Sequence, residues 1–230
     1  MHIGLCAACC AALVAGAAAA DPPAAPPAAV SAAPAARYTA ADCSRLNGIP
    51  GLPDALLSMH VTLYQGYVKN ANLLAEKLTA LSAAGGGRSP EYAELKRRFG
   101  WEYDGMRLHE LYFENICSRR EALDPKGPLA RRLASDFGSV EAWRKEFVDT
   151  GMMRGIGWAA LVDDPRSGRL TNVWIGEHDV GHLAGARIVL IADVFEHAFI
   201  TEFKLDRAKY LEAFLAAVDW KAAEKRLGAR

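Results

Sequence analysis

Between Leu52 and about Ala84 the apolar positions Leu56, Leu57, Leu63, Tyr64, Tyr67, Val68, Leu73, Leu74 and Leu78 recur at the spacing of one helical face. Gly85-Gly86-Gly87 ends that helix, and Ser89-Pro90 opens the next segment. A second amphipathic stretch runs from about Tyr92 to Cys117, with Gly100 and Gly105 as candidate interruptions. Two long helices joined by a glycine-rich turn predict an antiparallel hairpin. The breaker cluster Asp124-Pro125-Lys126-Gly127-Pro128 then marks an internal boundary.

Two short helices follow, roughly Leu129–Phe137 and Val140–Met152, with Gly138 suited to end the first and the Ser139 hydroxyl to cap the second. The run Gly157–Val162 is strand-like, Asp163–Gly168 supplies turn residues, and Leu170–Ile175 completes a hairpin. Ile188–Ala192 is a third β-prone run, and the chain from about Glu196 to Leu227 reads as helices. The expected fold class is α+β: an N-terminal antiparallel helical hairpin packed on a C-terminal domain, whose small three-stranded antiparallel sheet is surrounded by helices.

Composition divides the chain further. Leu5–Ala20 is an apolar, small-residue run of signal-peptide length ending in several small-x-small sites, although its n-region, Met-His, carries no Lys or Arg. Residues 21–36 are Ala and Pro apart from Asp21, Val30 and Ser31, a composition that tethers rather than packs. The expected organisation is a signal peptide at 1–20, a linker at 21–37, the helical hairpin at 38–123 and the C-terminal α/β part at 124–230. The expected location is the periplasm or the outside of the cell. Cys6, Cys9 and Cys10 raise lipid anchoring as an alternative, but no Leu stands three residues before Cys9 or Cys10. Export would leave Cys43 and Cys117 either as a disulfide or as two free thiols. The balance of 27 basic against 27 acidic residues excludes bulk attraction to nucleic acid, and no apolar run after residue 20 is long enough to span a bilayer.

Five histidines lie beyond the leader: His60, His109, His178, His182 and His197. His60 falls in the first helix and His109 in the second, each on a stretch with an inward apolar face. Asp193 and His197 are four residues apart where the third strand gives way to a helix, so both can point at one ion. Three imidazoles and one carboxylate suit iron, manganese or zinc rather than magnesium or calcium.

The segment Asp193-Val194-Phe195-Glu196-His197-Ala198-Phe199 resembles the D-x-W-E-H-A-Y signature of the iron/manganese superoxide dismutase family. Gly155–Val162 resembles that family's G-x-G-W-x-W-L-V strand. Arg207, Tyr210-Leu211 and Val218-Asp219-Trp220 resemble its R-x-x-Y-L…V-N-W tail. Tyr67–Asn72 is similar to the first-helix Y-V-x-x-x-N segment, and Leu108–Phe113 to the second-helix segment around a ligand histidine. The resemblance extends over about residues 52–226.

It implies a superoxide dismutase with one iron or manganese ion per subunit, held by His60, His109, Asp193 and His197. It places Tyr67 near the way in for substrate and makes His178 the partner of the solvent on the metal, where many relatives use Gln. Gly105, at the other position from which that Gln can come, would leave the space that His178 fills. Arg207 is the expected cation for guiding an anionic substrate. Glu196 resembles the residue that reaches the ligand histidine of a second subunit, implying a homodimer through Glu196 and His197. His182 is expected to contact backbone or a subunit interface.

Several positions depart from the family pattern. His60 precedes Tyr67 by seven residues instead of eight, which demands a one-residue deletion or a local change of helix winding. Leu63 or Tyr64 stands where a gateway histidine is usual, and Phe195, Ala160 and Ile200 replace aromatic residues. Two other functions fit the same donors. One is a non-catalytic metal-binding envelope protein with a dismutase-like fold. The other is a zinc hydrolase, which needs a further general base. Zinc offers no redox step, so dismutation requires iron or manganese.

Overall fold

The computed structural model describes residues 38–119 and 121–228; the expected signal segment and Ala/Pro linker lie outside them. Helix α1 (Asp54–Ala83) starts after Pro53, and the Asp54 carboxylate accepts a bond from the Gly48 amide at 2.8 Å. It stops where Gly85 takes φ +78°, a conformation that costs glycine nothing, so the amides of residues 84–86 can satisfy the last carbonyls. Helix α2 (Pro90–Glu114) has proline in its first turn, and the Ser89 hydroxyl accepts from the Tyr92 amide at 3.1 Å. Gly100 and Gly105 do not interrupt it. The two helices pack as the expected hairpin, with Tyr64, Val68, Ala71, Leu74 and Leu78 buried along α1. Leu63 and Leu73, read from spacing as part of that face, are 41% and 44% exposed.

Helices α3 (Pro128–Phe137) and α4 (Val140–Gly151) meet at Gly138, where the Ser139 hydroxyl caps α4 by accepting from the Ala142 amide. Strands β1 (Gly157–Asp164), β2 (Arg169–Gly176) and β3 (Arg187–Asp193) form an antiparallel sheet in the order β2-β1-β3. Central β1 is buried on both faces from Gly157 to Asp163, which explains its nearly unbroken apolar run. After β3 come a 3₁₀ turn (Glu196–Ala198), a single-turn helix α5 (Ile200–Phe203), α6 (Arg207–Ala216) and α7 (Trp220–Gly228).

One apolar cluster runs from Leu57 and Tyr64 on α1, through Tyr112 and Phe113 on α2, to Trp158, Leu190, Phe147 and Phe214. Side chains of this size each gain roughly 1.5–3 kcal/mol on full burial. Two fastenings tie the end of α2 to the C-terminal elements. The Asn115 amide group donates to the Ile191 carbonyl at 2.6 Å, and the Arg226 guanidinium donates to the carbonyls of Leu111 and Val189. The sheet end carrying Asp193 is thereby held against the hairpin that carries His60 and His109. Among the described residues no helix is long and apolar enough to cross a membrane.

Candidate metal centre

His60 and His109 face each other across the hairpin, their ring centroids 5.0 Å apart, and both are fully buried. The seven-residue spacing from His60 to Tyr67 needs no change of winding. The helix is regular throughout, and two turns bring Tyr67 back to the face of His60. Asp193 is the last residue of β3, paired with Trp158, and His197 lies in the 3₁₀ turn that follows. Asp193 Oδ1 accepts from the Phe195 amide at 2.8 Å, which bends the chain sharply after the strand. The Val194 amide donates to the Gly157 carbonyl, so the turn rests on β1. A Cβ on Gly157 would lie 2.0 Å from the Ile175 carbonyl oxygen, so no other residue fits there.

The other carboxylate oxygen, Oδ2 of Asp193, is the point of convergence. His60 Nε2 lies 3.0 Å from it, His197 Nε2 3.1 Å and His109 Nε2 3.6 Å. One donor atom from each of the four residues falls within 4.8 Å of all the others. His109 Nδ1 donates to the Gly105 carbonyl at 2.6 Å, which puts the proton on Nδ1 and leaves a lone pair on Nε2. Burial pushes His109 down to about 3, and the neighbouring His60 ring adds to the effect, so the imidazole is neutral. Its Nε2 is buried and has no hydrogen-bond partner among the described residues. The His109 lone pair thus faces an ionised carboxylate oxygen in a dry pocket with no donor of its own, an arrangement that a cation between them would satisfy.

Burial would raise the Asp193 carboxyl, but the neighbouring His197 and His60 rings reverse this and hold it well below the usual range. Burial lowers His60. It would lower His197 too, but the charge and bond of Asp193 raise that ring. The walls are aromatic: Tyr112 and Phe113 lie beside His60, Trp158 beside His109 and Phe195 beside His197, all at centroid distances of 5.0–5.2 Å. The buried hydroxyls of Tyr112 and Tyr210 bond to each other at 3.2 Å.

Next to the donors stands a second polar pair. His178 is fully buried, its Nε2 2.9 Å from the Tyr67 hydroxyl and its Nδ1 3.1 Å from the indole nitrogen of Trp158. Indole only donates, so Nδ1 accepts and the proton of the neutral ring sits on Nε2, which donates to Tyr67. Burial pushes His178 down to about 4, keeping it neutral. Burial also lifts the Tyr67 hydroxyl well above its ordinary value, helped by the negative charge of Asp193. The space beside Gly105 is filled by the Tyr67 ring and not, as expected, by His178: a Cβ on Gly105 would meet that ring at 2.6 Å.

The remaining residues singled out from sequence lie further out. Tyr64 is buried, but its hydroxyl is committed to Glu110 at 2.9 Å and to the Ala41 amide at 2.7 Å. Glu196 is exposed, and His182 bonds to the His178 carbonyl at 2.8 Å. The Arg207 guanidinium donates to the carbonyls of Gly151, Met153 and Gly155 and lies over the Phe199 ring, so it fastens the loop before β1. Cys43 and Cys117 are free thiols. Two site-lining residues were not found by sequence reasoning. Trp101 packs against both Tyr67 and His178, and Glu177 bonds to the Trp101 indole. A tryptophan two turns before a ligand histidine was the only signal.

Residues 125–226 match the model of the C-terminal domain of iron/manganese superoxide dismutases. The chain is 37% identical over 172 residues to superoxide dismutase [Mn] 2 of Haloferax volcanii, covering 74% of this chain and 84% of that protein. It is 35% identical to superoxide dismutase [Fe] of Saccharolobus solfataricus, covering 71% and 79%, and 34% identical to superoxide dismutase [Fe] of Cupriavidus metallidurans, covering 79% and 91%.

Proposed function

Because the chain belongs to the iron/manganese superoxide dismutases, we propose that it converts superoxide to dioxygen and hydrogen peroxide at one iron or manganese ion held by His60, His109, Asp193 and His197. The unpartnered, buried Nε2 of His109 facing Asp193 Oδ2 carries this reading, because a cation between them would satisfy a lone pair to which no described residue supplies a donor. When bound, the ion supplies the one-electron steps that zinc cannot. The relatives are named for manganese in one case and iron in the others, so both metals belong to the proposal.

The protein's own residues do three things. The aromatic walls exclude water and strengthen every charge interaction inside. Asp193, held ionised, offsets the charge of the ion and favours its oxidised state. The bonded series Trp158, His178, Tyr67 orients protons in one direction: the indole donates to His178 Nδ1, His178 Nε2 donates to the Tyr67 oxygen, and Tyr67's own O–H is left to donate toward the substrate side. His178 and Tyr67 are thus the residues proposed to deliver a proton to the departing peroxide. Arg207, although spent on three carbonyls, keeps its charge and is the proposed contribution to attracting the anion.

Export to the periplasm or beyond, with cleavage near Asp21, is part of the same reading and rests on the apolar leader. A homodimer through Glu196 and His197 is supported by the exposure of Glu196 and by apolar side chains left in the open nearby in sequence, Ile200 at 40% and Leu205 at 89%. The deciding experiment is metal analysis of the purified protein beside a superoxide assay, repeated on His109→Ala. Stoichiometric iron or manganese with dismutation, both lost in the variant, is the expected result. Bound metal without dismutation would select the non-catalytic reading instead.

A further inference from the structure

The loop that delivers His178 contains a conformational anomaly. Glu177, directly before it, takes φ +48°, a region that residues with a Cβ hold only when their surroundings enforce it. Two contacts do so. The Glu177 amide donates to the Ile156 carbonyl at 3.0 Å, and its carboxylate Oε2 accepts from the Trp101 indole nitrogen at 3.0 Å. The reversal at Glu177 turns the next side chain inward, and His178 becomes fully buried although Glu177 and Asp179 on either side are exposed.

Trp101 makes the other half of the arrangement. Its ring centroid lies 4.5 Å from that of His178 and 5.6 Å from that of Tyr67, so it covers the pair from outside. The Arg98 guanidinium carbon lies 3.9 Å from the centre of the indole, and Arg98 is anchored by an ion pair to the buried Glu102 at 2.7 Å. The indole is thereby clamped between a cation and two site residues, with its N–H aimed at Glu177. The pair needs such a support. Gly105 offers Tyr67 no side chain to lean on, and residues 177–186 form only turns and one isolated bridge.

We infer that Trp101 is a positioning residue: by its N–H bond to Glu177 and its ring against His178 and Tyr67, it sets the His178–Tyr67 hydrogen bond. The inference rests on the proposed role of His178 in proton delivery. Because the bond to Glu177 is directional, ring bulk alone does not replace it, whereas any neutral acceptor at residue 177 does.

The test uses the metal-loaded full chain and four variants: Trp101→Phe, Glu177→Ala, Glu177→Gln and His178→Ala. Amide hydrogen exchange is followed over residues 177–186 by mass spectrometry, with kcat, KM and metal content measured in parallel. Trp101→Phe and Glu177→Ala are expected to speed exchange in that loop about tenfold and to lower kcat roughly fivefold to tenfold at unchanged metal content. Glu177→Gln, which keeps an acceptor oxygen, is expected to behave as the unaltered protein. Unchanged exchange and kcat in Trp101→Phe would overturn the inference, as would Glu177→Gln as impaired as Glu177→Ala, since charge would then be responsible. If His178→Ala loses turnover while Trp101→Phe and Glu177→Ala keep it, the support role fails and the role of His178 stands. If His178→Ala keeps full turnover, the role of His178 fails and the inference falls with it.

Discussion

The ring of Tyr67 rests against the bare backbone of Gly105, so that a Cβ added there would lie 2.6 Å from its Cδ1 and 2.8 Å from its Cε1. Gly105→Ala therefore sets two effects against each other. Alanine in a helix interior gains about 1 kcal/mol over glycine, whereas overpacking a filled site costs about 1–3 kcal/mol. The clash should win, because the ring is held by His178 and Trp101 and has nowhere to swing. We expect a net loss of up to about 2 kcal/mol, a Tm lower by up to about 8 °C, and reduced turnover from the displaced hydroxyl. Thermal unfolding with parallel assays checks this; a stabilised, fully active variant would show that the ring moves aside freely.

His178 separates hydrogen bonding from bulk. His178→Ala strips the Trp158 indole of its acceptor and Tyr67 of its donor. We expect metal to remain bound, since no ligand is lost, and turnover to fall by about tenfold or more. His178→Gln can accept from Trp158 through its oxygen and donate to Tyr67 through its nitrogen. Its turnover should lie well above that of the alanine variant. Equal impairment of the two would mean that the imidazole itself is required.

For Arg207 the geometry favours an anchoring contribution. Arg207→Ala leaves the carbonyls of Gly151, Met153 and Gly155 without this donor and should cost roughly 1–3 kcal/mol. Arg207→Lys should recover only part, because an ammonium cannot span three carbonyls as a planar fork can. Denaturant unfolding measures the stability, and the salt dependence of kcat/KM in the alanine variant measures any steering. A changed salt slope at unchanged stability would leave Arg207 only the proposed attraction of the anion, and lowered stability at an unchanged slope would leave it only the anchoring.

The elements were legible where one period or one breaker dominated. The α1–α2 hairpin follows from apolar spacing and the glycines at 85–87, and the sheet from short apolar, β-prone runs bounded by turn residues, because these signals are local. The four residues whose donor atoms cluster were singled out for a different reason: the D-x-x-x-H pair and two histidines on inward faces could share one ion, and the segments around them resemble the dismutase motifs. What could not be read depends on contacts between segments far apart in sequence. Whether the space at Gly105 is filled by Tyr67 or His178 is decided by how α1 packs on α2. The pairing of Trp101 with Glu177 spans 76 positions. Arg207 looked like a free cation because nothing in a sequence shows three carbonyls converging on it.

The buried histidines give the fold a pH dependence whose sign can be worked out. His178 has an ordinary value of 6.5, and burial pushes it down to about 4, so between these values the unfolded chain holds more protons than the folded one. Stability from this group is fully present above about pH 6.5 and is lost as pH falls toward 4, by at most about 3 kcal/mol at 1.36 kcal/mol per unit. His109, pushed down to about 3, extends the loss to lower pH, and acid also releases metal by protonating the donors. The contribution of His178 is isolated by comparison with His178→Gln, which keeps the bonds and cannot titrate. Urea unfolding of both proteins at several pH values between 4 and 7 should give a shallower slope for the glutamine variant, the two curves lying closest near pH 7 and separating as pH falls toward 4. Parallel curves across that range would mean that His178 is protonated in the fold or free to reach water, and its assignment as a neutral donor to Tyr67 would fall.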